Sequence, residues 1–135
     1  MQLYAPTGRD TLDAELIADI RAFDDSLLDR FIERFLRDVH FDLATAWHAL
    51  RAGRLEEVVR LAHKVVNSAG NVGATRACAV ARATEEAAAR GERGDTERSL
   101  FRLEAECAEA ARCLEAMLSR RSVANDRWDL DDGAA

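Results

Sequence analysis

Two stretches of this chain repeat apolar residues at intervals that alternate between three and four. Leu100, Leu103, Cys107, Ala110, Leu114 and Met117 form one series, and Leu55, Val58, Ala62, Val65, Ala69 and Val72 form the other. Such spacing lays every member along one stripe of a helix, whereas a half-buried strand would alternate with a period of two. A helix with one apolar stripe has to bury it against other helices. Nothing downstream opposes helix, because the single proline is Pro6 and the bulk of the chain is Ala, Leu, Glu and Arg with few strand-forming runs. The fold class expected is all-α.

Taken in order, residues 1–10 read as a loosely ordered leader with a Pro6-Thr7-Gly8 turn signal. A short helix is expected from about Thr11 to Ala22, with Leu12, Leu16, Ile20 and Phe23 at helical spacing and Asp10 or Thr11 as its N-cap. Asp24, Asp25 and Ser26 then stop that helix and cap the next, which runs from about Ser26 to Ala52 and ends on Gly53. Phe31, Ile32, Phe35, Leu36 and Phe41 give this second helix more apolar surface than one seam needs, enough for both core and an exposed patch. The third helix is expected over Arg54 to Asn71. A fourth, over Ala74 to Arg90, has mostly small inward residues, Ala77, Val80, Ala81, Thr84, Ala87 and Ala88, that would let it pack closely on the third. Gly91 to Asp95 reads as a loop, and Asp95 or Thr96 as the cap of a last helix reaching Arg120. Residues 121–135 are acidic and break the apolar pattern, so they read as a disordered tail, or with Trp128 and Leu130 as a docking motif. Residues 11–120 thus spell an up-down-up-down four-helix bundle with a short N-terminal lid helix.

Composition removes several functions. The 135 residues suit one domain, and a formal net charge of −6 is the wrong sign for a surface that displaces counterions from nucleic acid. No apolar run approaches the ~20 residues of a membrane span and the N-terminus lacks a signal-peptide pattern, so a cytoplasmic protein, monomeric, is expected. Cys78, Cys107 and Cys113 are odd in number and show no C-x-x-C spacing; they read as small apolar residues in helices, without disulfides or zinc. Arg37, Thr45 and Arg60 stand three residues before the three histidines, where a di-iron bundle would carry Glu. No cofactor or bound metal is expected. A Gly-rich nucleotide loop is absent as well, which excludes a kinase.

The remaining candidate is His63. It lies off the third helix's seam, roughly 120° from the centre of the buried stripe, and is expected on an open flank with Glu56, Val59, Arg60, Val66, Asn67 and Gly70. Gly70 and Gly73 follow, each removing side-chain bulk and letting another backbone or domain approach closely. Here the sequence resembles the histidine-containing phosphotransfer (HPt) domains, whose pattern is approximately A-H-x-L-K-G-S-A-x-x-L-G-A. Ala62, His63, Ser68, Ala69, Gly73 and Ala74 match in register, with Val65 and Val72 replacing two leucines. Val66 and Asn67 stand where the family usually has Lys and Gly, residues associated with holding the phosphoryl group and admitting the docking partner.

The resemblance implies a phosphoryl carrier in a two-component phosphorelay, with His63 accepting from and donating to aspartate-phosphorylated receiver domains of response regulators or hybrid histidine kinases. The receiver would bring its own Mg²⁺. An imidazole titrates near 6.5 in general, so it supplies a nucleophilic nitrogen without an added base. Among the candidate phosphate and receiver contacts, Val59, Arg60, Lys64, Val66, Asn67, Ser68 and Gly70, the guanidinium of Arg60 is better placed than Lys64, which one residue on should face solvent. Ser68 is expected to bond the local backbone in preference to orienting the imidazole, and Asn67 either to crowd a partner or to donate to a phosphoryl oxygen. Two other readings remain open: a module that docks on a receiver or histidine kinase without being phosphorylated, and a helical adaptor in which His63 is incidental.

Overall fold

The structure, a computed structural model, describes residues 10–133, with side chains through residue 120. Among the described residues five helices follow one another: α1 (Ala14–Phe23), α2 (Asp25–Arg51), α3 (Leu55–Asn71), α4 (Thr75–Ala89) and α5 (Arg93–Gly133). Helices α2 to α5 make the antiparallel four-helix bundle, and α1 is the lid. The expected leader lies almost wholly outside the described residues.

Short connections fix the topology. Between α1 and α2 there is only Asp24, extended at φ −159°, whose carboxylate accepts from the backbone N–H groups of Ser26 (3.0 Å) and Leu27 (3.2 Å) and from the Ser26 hydroxyl. These bonds, the Ser26 hydroxyl's foremost, hold the Asp24 carboxyl below its ordinary range. The three hairpin turns of the bundle share one construction. Each has glycine in the left-handed region, Gly53, Gly73 and Gly91 at φ 75°, 68° and 74°, and each returns two N–H groups to the last turn of the preceding helix. After α3 these are Gly73 N–H to Gly70 O (3.2 Å) and Ala74 N–H to Ala69 O (2.9 Å).

The core lies where the seams predict. From α2 come Leu28, Ile32, Phe35, Val39, Leu43, Ala46 and Leu50; from α3 come Val58, Ala62, Val65 and Ala69; from α5 come Leu100, Leu103, Cys107, Ala110 and Leu114. Helix α4 contributes Ala77, Val80, Ala81, Ala87 and Ala88, and the buried Thr84 satisfies its hydroxyl on Val80 O (2.8 Å) and Ser99 Oγ (2.6 Å). The surplus apolar surface of α2 divides: Ile32 and Phe35 are core, Phe31 and Leu36 pack against it, and Phe41 is 73% exposed. Burial, with the charge of Glu106, pushes the Cys107 thiol up to about 12. Near pH 8 the native protein is therefore expected to resist iodoacetamide at Cys107, whereas the urea-unfolded chain is alkylated there. Peptide mass mapping of both reads the difference, and modification of Cys107 in the native protein would contradict its burial.

Three boundaries depart from expectation. Helix α1 begins at Ala14, capped by Asp13 and not by Asp10 or Thr11, since the Asp13 carboxylate reaches the N–H groups of Glu15 and Leu16 at 3.1 Å each. Helix α5 begins at Arg93: the turn is completed by Gly91, and the N–H of Thr96 already bonds Glu92 O, so Asp95 and Thr96 are inside the helix instead of capping it. Its backbone also continues to Gly133, past the expected end at Arg120 and through residues expected to be disordered. The apolar pattern does stop near Leu118, but no Pro or Gly intervenes before Gly133, so nothing local terminates the helix.

Candidate functional site

Helix α3 presents His63 outward, with its side chain 59% exposed, while Ala62 on one side and Val65 on the other are buried. The ring is not free to rotate at random. Its Nδ1 lies 3.0 Å from Oε2 of Glu85, which comes from α4 across the hairpin. His63 and Glu85 are each eleven residues from Ala74, so the antiparallel pairing of α3 and α4 brings them level. A carboxylate only accepts hydrogen bonds, which makes Nδ1 the protonated nitrogen and leaves the lone pair on Nε2. Sequence reasoning missed Glu85. The signal was the Gly73 turn, which fixes the register of the two helices once its position is known.

The other candidates divide between the two sides of α3. Arg60 is exposed and ion-paired to Glu57 one turn earlier on the same helix, which raises its pKa through that bond. Lys64 is exposed as expected, but it is engaged: its ammonium donates to Asp42 of α2 at 3.1 Å. The Asp42 side chain is only 4% exposed against 49% for Lys64, so the lysine covers a buried acid that the wheel of α3 alone could not reveal. Asn67 is exposed and Ser68 donates to Val65 O (3.3 Å), the local role expected of it. Val66 is corrected: at 8% exposure it belongs to the core, beneath α4, where its carbonyl accepts from the Cys78 thiol. Val59 is half-buried against the same core and offers only part of its side chain to a partner.

Gly70 opens the surface beyond the histidine. It lines a groove of about 540 Å³ together with Leu16 of the lid and Ala79, Arg82 and Ala83 of α4. A Cβ built on Gly70 would meet nothing closer than the Cys78 sulfur at 3.9 Å, so glycine there widens the groove without being sterically required. Gly73 differs. A Cβ on it would stand 3.1 Å from Cγ1 of Ile17 and 3.3 Å from Asp13 O, and its carbonyl accepts from the Asp13 N–H at 2.7 Å. The approach that Gly73 admits is therefore that of the chain's own lid helix. Among the described residues no group of His, Cys, Asp and Glu is arranged to hold a metal ion, and His40 and His48 both lie exposed on α2.

A bundle that offers a surface imidazole oriented by an acid on the neighbouring helix has a counterpart among protein families: the Hpt domain model matches residues 30–122. The chain belongs to the Hpt domain family. Its structure is similar to that of histidine-containing phosphotransfer protein B from Pseudomonas aeruginosa PAO1, with a TM-score of 0.78 and 22% sequence identity over 83% of this chain and 97% of that one. No curated protein sequence matches it. This Hpt domain is thus a histidine phosphotransfer protein of two-component signalling, a carrier rather than an enzyme with a reaction of its own.

As an Hpt domain it departs from the family pattern in a way the packing explains. Val66, where the family usually has Lys, is closed over by α4, and the one lysine of the chain is Lys64, drawn the other way by Asp42. Changing Lys64 to Met would leave the Asp42 carboxylate buried without its charged donor. That is expected to cost ~1–3 kcal/mol of stability, the range for an abandoned buried acceptor. Lys64→Met combined with Asp42→Leu is expected to recover most of it, as when a buried pair is replaced by apolar groups. Urea unfolding of the three proteins measures both steps, and a single variant as stable as the native chain would contradict the pairing.

Proposed function

We propose that His63 carries the phosphoryl group, receiving it from the aspartyl phosphate of one receiver domain and passing it to another. The observation that supports this most is the pairing of Nδ1 with Glu85 on an exposed ring. With the proton held on that side, the lone pair is left on Nε2 of an exposed ring. It attacks phosphorus in line, the new N–P bond forms as the acyl O–P bond breaks, and the departing electron pair stays on the receiver's aspartate. The positive charge that the ring then acquires lies against the Glu85 carboxylate, which neutralises it or takes up the Nδ1 proton. The reverse reaction passes the group onward. Nothing in this sequence requires a cofactor on the Hpt domain. The receiver brings Mg²⁺ and the acidic pocket that screen the transferring charge, and the bundle brings a rigid, oriented nucleophile.

The carrier is proposed to work as a cytoplasmic monomer, in line with a described region that contains no helix long and apolar enough to cross a membrane. A second reading is a module that docks on a receiver or histidine kinase without accepting phosphate. Val66 and Asn67 favour it, since the first withdraws from the surface and the second stands exposed one turn from His63. Transfer from isolated receiver domains, phosphorylated beforehand with a radiolabelled small acyl phosphate and Mg²⁺, separates the two. Acid-labile label on the bundle supports the carrier; a stable complex in which all the label stays on the receiver supports the docking module.

A further inference from the structure

A phosphoryl group brings close to two negative charges at neutral pH. On Nε2 of His63 it would arrive beside the Glu85 carboxylate, 3.0 Å from the same ring, so the site needs a cation that is not already committed. The two cations of α3 nearest the histidine are both engaged, Arg60 by Glu57 and Lys64 by the buried Asp42. Arg82 of α4 is not. It is exposed and has no ion-pair partner among the described residues, and it stands one helical turn before Glu85.

The hairpin register places it. Arg82 and Val66 are each eight residues from Ala74, and on α4 Arg82 lies between two residues with observed contacts to α3: Cys78, whose thiol reaches Val66 O at 3.5 Å, and Glu85, 3.0 Å from His63. The α3 residue at this level is an uncharged, buried valine. Arg82 also lines the groove beside Gly70, where Ala79 and Ala83 on its own helix leave the guanidinium room to swing. We propose that Arg82 is the cation that meets the phosphoryl group on His63, supplied from across the hairpin. The proposal rests on His63 being the acceptor. The guanidinium fork donates N–H groups to two phosphoryl oxygens and exchanges no proton, so the balance of the transfer is unchanged while its phosphorylated product is stabilised.

The test compares the native chain with Arg82→Gln and Arg82→Lys, using a receiver domain that phosphorylates the native chain. Two quantities are read: the equilibrium ratio of phosphorylated bundle to phosphorylated receiver, and the Kd of the unphosphorylated pair. Arg82→Gln is expected to lower the ratio roughly tenfold, the scale of one charge-assisted hydrogen bond, with Kd unchanged. Arg82→Lys is expected to retain most of the native ratio. An unchanged ratio in Arg82→Gln overturns the proposal, and so does a Kd weakened as much as transfer, which would make Arg82 a docking contact. Failure of the His63 assignment looks different: the label on the native chain then survives His63→Gln.

Discussion

His63→Gln is expected to abolish phosphoryl acceptance while leaving the bundle folded. The ring is more than half exposed and contributes nothing to the apolar core, so its loss removes one surface hydrogen bond to Glu85 and little stability. Gln keeps an amide able to donate to that carboxylate but has no nitrogen lone pair free for attack, so transfer should fall to background and not merely slow. Labelled receiver, the two proteins and a circular dichroism melt of each are sufficient. Undiminished label on the variant would assign the chemistry to another residue, with His40 and His48, both exposed on α2, as the first to examine.

The second large effect is on stability. Phe35 is the largest side chain buried to 1% exposure, and it stands on α2 where the bundle's seams meet. Phe35→Ala is expected to destabilise by ~3–5 kcal/mol, the transfer and cavity terms together, and to lower Tm on the order of 15 °C. Phe41→Ala, on the same helix but with its ring 73% exposed, is expected to change stability by less than about 0.5 kcal/mol. Chemical denaturation of the pair measures the contrast. Equal effects would mean that the division of α2's aromatic surface into core and exposed patch is wrong.

Much of the fold was legible because one signal, the alternation of three and four, is local and strong in α3 and α5. The lid helix, Gly53 and the small inward face of α4 could be read for the same reason: each depends on residues adjacent in sequence. The ends of α5 could not. Its start is decided by how tightly the Gly91 turn closes, and its extension to Gly133 by the absence of any breaker, which an apolar pattern does not register.

At the site the division is similar. His63 was found from its position off the seam and from the motif around it, and Ser68 was assigned its local bond correctly. The partner of Lys64, the burial of Val66 and the role of Glu85 were missed because each depends on a neighbouring helix. A helical wheel places Lys64 on the surface, where it is, but does not show that its ammonium reaches a buried carboxylate 22 residues away on α2. Val66 looks like flank until α4 is laid over it, and Glu85 acquires a role only when the hairpin register sets it opposite the histidine. Contacts made by one helix with itself can be read from a sequence. Contacts between helices require the turn geometry as well.

The most direct measurement is to phosphorylate the native chain from a receiver domain and locate the group by NMR under neutral to alkaline conditions, where phosphohistidine survives. With Nδ1 held by Glu85, the phosphorus should be bonded to Nε2 of His63 and to no other atom of the chain. Phosphate on Nδ1 of His63, or on His40 or His48, would contradict the account.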